Sequence, residues 1–171
     1  MSNAGTRRFA LIGKSGAGKS TVAGSLCQGA DIRRVSTGQI CRQIAKLLFD
    51  NDDKASTQRV DDALTLIDPS VFLQAALRGV DLRESICLDA LRFQSDYAIA
   101  RDLGFKIIRV SAPDALRVRR LAERGQVFDL ATDGQHRSEV ELDAAAVDFT
   151  IRNEGTREDV DAAVRAILGA A

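Results

Sequence analysis

The stretch Phe9-Ala10-Leu11-Ile12-Gly13-Lys14-Ser15-Gly16-Ala17-Gly18-Lys19-Ser20-Thr21 decides how the rest of this 171-residue chain is read. Its four leading residues form an unbroken apolar run, the pattern of a strand buried on both faces. The next eight match G-x-x-x-x-G-K-[ST] in full. Val22, Leu26 and Cys27 then fall at helical spacing, so a strand, a glycine-rich turn and a helix follow one another without a gap. Each residue type has a physical task there. Glycines let the backbone curl until successive N–H groups converge on one anion. A helix starting near Lys19 adds the positive end of its dipole. The Lys19 ammonium reaches a polyphosphate, and the Ser20 hydroxyl is a magnesium ligand. Gly13, Ser15, Gly16, Ala17, Gly18, Lys19, Ser20 and Thr21 are therefore expected to hold ATP with Mg²⁺.

Working outward, short apolar runs alternate with helical periods. Arg34-Val35, Ile86-Cys87-Leu88, Ile107 to Val110 and Val147 to Ile151 read as further strands. Helices are expected from Lys19, over Ile40 to Leu48, over Val60 to Ile67 and Val71 to Leu77 on either side of Asp68-Pro69, and over Gln94 to Leu103 before Gly104. Pro113 opens another, at a position where its missing N–H costs least. The last begins near Thr156, with Asp159 as a capping partner. Ile40, Ile44, Leu47 and Leu48 mark the inner face of the second helix, and the polar stretch from Asn51 to Ser56 reads as loop. Strands alternating with helices predict an α/β fold: a doubly wound parallel sheet of about five strands with helices on both faces.

Composition sets bounds on function. Apolar residues make up 45% of the chain, charged residues 28%, and 24 Lys and Arg balance 24 Asp and Glu. A chain of this size fits one domain, residues 5–171, and its zero formal charge argues against a nucleic-acid polymer as partner. No apolar run approaches the roughly 20 residues that cross a bilayer, and no signal peptide is visible, so no membrane partner is expected. The three cysteines, Cys27, Cys41 and Cys87, lack metal-cluster spacing and read as free thiols of a reducing, cytoplasmic compartment. Ser2-Asn3-Ala4 looks like an expression-tag remnant, so residues 1–4 are set aside.

Downstream residues narrow the chemistry. The apolar strand before Asp89 puts that carboxylate at the C-terminal edge of the sheet, suited to Mg²⁺ through water or to accepting a hydroxyl proton. Ala90 follows it, so the Asp-Glu pair of hydrolytic motors is missing, as is the Asn-Lys-x-Asp base reader of GTPases. Both absences favour transfer to a bound acceptor over hydrolysis. Arg117, Arg119, Arg120 and Arg124 lie within eight residues with only Glu123 among them, and Arg117, Arg120 and Arg124 share a helical face, which suggests an anion opposite. Gly125 to Gly134 lacks apolar periodicity and reads as a mobile lid, about 125–138, that would exclude water. It is followed by His136-Arg137-Ser138-Glu139, in which Arg137 is a candidate substrate-binding arginine. His136, the sole histidine, reads as a hydrogen-bonding rather than a catalytic group.

Ser36-Thr37-Gly38-Gln39-Ile40-Cys41-Arg42 resembles the Ser-Thr-Gly-Asp-x-x-Arg segment of adenylate kinases, with Gln39 in place of the acid. The resemblance implies that Thr37 and Arg42 hold an acceptor nucleotide between helices of about residues 36–80. Asp89-Ala90-Leu91-Arg92 is similar to that family's Asp-Gly segment with its following Arg, Ala90 standing where Gly is usual, and Arg92 would be a second phosphate clamp. Arg120-x-x-x-Arg124 resembles the pair at the base of the family's lid, one stacking on the ATP adenine and the next meeting the transferring phosphate. Val147 to Thr156 resembles the closing loop of dephospho-coenzyme A kinase-like and phage-type deoxynucleoside monophosphate kinase sequences. That makes Asn153 a donor-site residue, a role that competes with its use as a turn former.

By this reading the chain resembles the nucleoside monophosphate kinase superfamily of P-loop kinases. The expected reaction is ATP-dependent transfer to a nucleoside or deoxynucleoside monophosphate, with Lys19, Asp89, Arg92, Arg120 and Arg124 as catalytic residues and Ser20 and Asp89 at the metal. Two alternatives remain open: a kinase for an alcohol such as dephospho-coenzyme A, with Asp89 as base, and a nucleotide-binding switch. Monomer and dimer are equally open.

Overall fold

The computed structural model describes residues 5–28 and 30–170; the tag-like residues 2–4 lie outside them. Five strands build one parallel sheet: β1 (Arg8–Ile12), β2 (Arg33–Val35), β3 (Ile86–Leu88), β4 (Lys106–Ser111) and β5 (Phe149–Arg152). Their order is β2-β3-β1-β4-β5, with β1 paired in parallel to β3 on one side and β4 on the other. Sequence order reverses around β1, which leaves a crevice at the C-terminal edge beside that strand, the usual ligand position in open α/β sheets.

The helices are α1 (Lys19–Gln28), α2 (Thr37–Phe49), α3 (Lys54–Ile67), α4 (Val71–Leu77), α5 (Gln94–Asp102), α6 (Asp114–Glu123), α7 (Arg137–Val140) and α8 (Arg157–Ala170). Two apolar layers cover the sheet. Phe9, Leu11, Ile108 and Val110 pack with Val22 and Leu26 of α1 and Val160 and Val164 of α8. Ala10, Ile12 and Ile107 point the other way, toward Leu73, Ala100 and Phe105. The alternation of Ile107 and Ile108 between layers is the period-2 rule at work. A third cluster of Cys41, Ala45, Val60 and Phe72 joins α2, α3 and α4. The expected doubly wound α/β architecture is the observed one.

Three local expectations are corrected. The inner face of α2 carries Thr37, Gly38, Cys41 and Ala45, while Leu47 and Leu48 are 83% and 64% exposed. Ile40 and Ile44 only flank the buried cluster, because small residues let α2 lie close to its neighbours. The loop read over 51–56 ends sooner: Asp53 accepts the Ser56 N–H at 2.7 Å and caps α3, so the helix starts at Lys54. Arg117 does not join an outward stripe but is 3% exposed. The cap at Thr156 forms as read, its backbone N–H donating to Asp159 at 2.7 Å.

Candidate active site

The turn after β1 can be closed only by glycine at its tightest points. Gly16 sits at φ +78°, and a Cβ there would come within 2.6 Å of the Arg117 carbonyl oxygen. Gly18 sits at φ +99°, and a Cβ would fall inside the Asn153 carboxamide. Arg117 and Asn153 are therefore struts. The Arg117 guanidinium donates to the Ser15 carbonyl at 2.6 Å and to Asp114, and the Asn153 carboxamide donates to the Ala17 carbonyl at 2.9 Å. Arg120 in turn donates to the Asn153 carbonyl at 3.1 Å, and its buried Nη1 meets no protein acceptor.

In front of this turn lies a cleft of about 580 Å³. Ser15, Gly16, Gly18, Lys19 and Ser20 form its floor. Gly13, Ala17 and Thr21 are not part of that lining; Gly13 offers its carbonyl to the Lys19 ammonium at 2.5 Å. Burial pushes the Lys19 ammonium down to about 8, with the Glu139 carboxylate the strongest opposing influence. Glu139 was not singled out from the sequence. It reaches across from α7 to take the Ser15 N–H at 2.7 Å and the Ser15 hydroxyl at 2.5 Å. A carboxylate thus occupies a donor of the anion cradle.

The opposite wall is built from the segment after β3 and from α2. Asp89 is buried and borders the cleft, its backbone N–H tied to Val35 of the adjacent strand. Arg34, another residue the sequence reading missed, donates from Nε at 2.8 Å and Nη2 at 2.6 Å to a single Asp89 oxygen. The other oxygen stays available to a further partner. Thr37 spends its hydroxyl on the Ala90 carbonyl at 2.8 Å, so it latches α2 to the segment after β3. Just past that latch, a Cβ on Gly38 would lie 3.6 Å from Nη1 of Arg42 and 3.7 Å from Nη2 of Arg92. The two guanidiniums, 50 positions apart in the chain, converge over one glycine. Asp61, buried on α3, steadies Arg92 at 3.7 Å.

Lid-side residues divide. Arg124 borders the cleft. Arg137 instead stacks on Phe93, 4.5 Å from the ring centre, and meets Glu141 at 3.7 Å. Its position beside Phe93 explains why it does not line the cleft. His136 hydrogen-bonds to Asp62 at 3.0 Å and to Ser138 at 2.8 Å, in keeping with the hydrogen-bonding role expected of it. The described residues contain no cluster of three His, Cys, Asp or Glu side chains able to hold a metal. Cys27, Cys41 and Cys87 are free thiols, and no helix is long and apolar enough to cross a membrane.

A family model described as an AAA domain matches residues 9–144. Among solved structures, a gluconokinase from Sinorhizobium meliloti 1021 is 14% identical, with 97% of this chain and 93% of that chain covered and a TM-score of 0.67. A shikimate kinase from Acinetobacter baumannii in complex with shikimate is 14% identical, covering 96% and 92% at a TM-score of 0.61. A sugar kinase from Janibacter sp. HTCC2649 is 16% identical, covering 95% and 92% at a TM-score of 0.55. At these identities the likeness is one of fold.

Proposed function

The chain belongs to the AAA domain family, and from that premise we propose that it is a kinase: it transfers the γ-phosphoryl group of ATP to a small acceptor that carries an anionic group, a nucleoside or deoxynucleoside monophosphate first among them. The observation that carries this reading is the shared cleft, lined by the Lys19 loop, Asp89 and the Arg42–Arg92 pair alike. A guanidinium pair is a bidentate anion clamp, and arginine stays charged at any working pH. The structures named as kinases of sugars, gluconate and shikimate share the fold and span nearly the same length. That supports small-molecule transfer over a switch.

The chain's own groups supply most of what phosphoryl transfer requires. Positioning and charge stabilisation dominate such reactions. The backbone N–H groups of Ser15 to Ser20 and the Lys19 ammonium would hold the donor phosphates, while Arg42 and Arg92 would fix the acceptor anion. Arg124, from the lid side, would meet charge that develops between them. The Ser20 hydroxyl and the free oxygen of Asp89 suit a Mg²⁺ ion that arrives with the nucleotide, the pattern of a cation bound by few protein groups plus phosphates. When bound, that ion neutralises charge on the β- and γ-phosphates.

A second reading, transfer to an alcohol, draws on the names of the structural neighbours, since Arg42 and Arg92 would clamp a carboxylate as well as a phosphate. The two readings part at Asp89. An alcohol needs a proton acceptor, so Asp89→Asn would nearly abolish transfer; a monophosphate is already nucleophilic and transfer to it would only weaken. The test is an acceptor screen with Mg-ATP over ribo- and deoxynucleoside monophosphates, dephospho-coenzyme A and hydroxy acids. Product from a nucleotide supports the first reading; product from alcohols alone contradicts it.

A further inference from the structure

Lys54 opens α3, and its helix start is pinned by the Asp53 cap. Its ammonium is buried and donates to no protein acceptor, although it has three N–H groups to place. Unpaired buried donors are rare and costly. One contact offsets part of that cost: the Phe128 ring, whose centre is 3.9 Å from Nζ. A ring face satisfies one direction only. The residue itself borders the cleft, along with Gln58 and Asp61 of the same helix.

Charged groups of both the cradle side and the clamp side act on Lys54. Glu139, which caps Ser15 of the cradle, and Asp133, just before α7, favour its charged form; Arg92 of the acceptor clamp opposes it. Desolvation outweighs them and holds the ammonium below the usual lysine range. An anion arriving between cradle and clamp would remove that penalty and fill the empty donor directions.

We propose that Lys54 contacts the phosphoryl group in transit, as a catalytic cation supplied by the acceptor-side helix. This rests on the kinase reading and adds to it a residue outside every motif of the chain. It also ties catalysis to the lid, because Phe128 holds the ammonium from the lid side while the phosphoryl group would hold it from the other.

The test needs no knowledge of the acceptor. Mg-ADP binding is measured by calorimetry with and without aluminium fluoride, a mimic of the transferring phosphoryl group, for the wild type, Lys54→Met, Lys54→Gln and Lys54→Arg. Met and Gln keep the stem against Phe128 and remove the charge; Arg restores it. The expected result is equal ADP affinity in all four, with a fluoride-dependent tightening that falls by about tenfold or more in Met and Gln and largely survives in Arg. Equal tightening in every variant, or none in the wild type, overturns the proposal. Failure of the wild type to bind ADP at all would overturn the kinase reading itself.

Discussion

The Glu139 carboxylate takes the Ser15 N–H at 2.7 Å, so an arriving phosphate competes with it for a donor of the cradle. Glu139→Ala should therefore tighten ATP binding by about tenfold, the scale of one charge-assisted hydrogen bond no longer broken on entry; an unchanged or weakened dissociation constant by calorimetry would show that Glu139 does not compete. On the acceptor side, Gly38→Val should push Arg42 and Arg92 apart. It should raise the acceptor KM by about tenfold with ATP affinity unchanged, and equal loss of both would point to misfolding instead. Not all of these residues were legible in advance. Lys19 sits in a motif whose spacing is set by chemistry, while Arg42 and Arg92 stood out only through the resemblance of their segments to those of adenylate kinases. Glu139, Arg34 and Lys54 act through side chains brought together by tertiary packing, and short-range spacing carries no trace of it. Arg117 misled for the opposite reason: it lies on a helix as read, but its guanidinium is taken up by the Ser15 carbonyl beneath the loop and by the Asp114 carboxylate one turn earlier.

At the scale of elements, α5 carries a testable strain. Asp96 lies in its first turn, buried, and accepts the Arg92 N–H at 3.4 Å, while its second oxygen meets no protein donor. Desolvation raises its carboxyl to about 6. Because the folded state then binds the proton more tightly than the unfolded one, the contribution of Asp96 to stability is largest below about pH 4 and is lost as pH rises through about 6. Because Asn mimics the protonated acid, Asp96→Asn should match the wild type most nearly below about pH 4 and become the more stable of the two as pH rises through about 6 in urea titrations; a difference flat with pH would contradict the shift. The positions of β1, β3 and β4 were legible because each is a short, mostly apolar run next to a turn; β2 carries two arginines, and β5 starts at Phe149 rather than Val147. Helix faces were less so. The buried side of α2 is made of Thr37, Gly38, Cys41 and Ala45, where close packing outweighs the hydrophobicity of Leu47 and Leu48. The early start of α3 followed from a cap, Asp53, set in a stretch polar enough to pass for loop.

Over the whole molecule, the strand order β2-β3-β1-β4-β5 brings the ends of β1, β2 and β3 to one edge, so cradle, Asp89 and Arg34 meet although the chain separates them widely. The layered fold follows from the alternation of strands and helices; the acceptor's identity does not, because a pair of guanidiniums such as Arg42 and Arg92 suits any small anion. Binding to the cradle should stabilise the entire domain. ATP at about 100 times its dissociation constant adds about 2.7 kcal/mol, or roughly 5–10 °C in Tm for a domain of this size, and Lys19→Ala should lose most of that shift. The most direct test of the central claim is phosphoryl transfer itself: γ-labelled Mg-ATP is incubated with the acceptor panel, and label in the acceptor is counted for the wild type and Lys19→Ala. The account predicts labelled acceptor with the wild type and almost none with Lys19→Ala. ATP binding that persists with no labelled acceptor anywhere in the panel would contradict it.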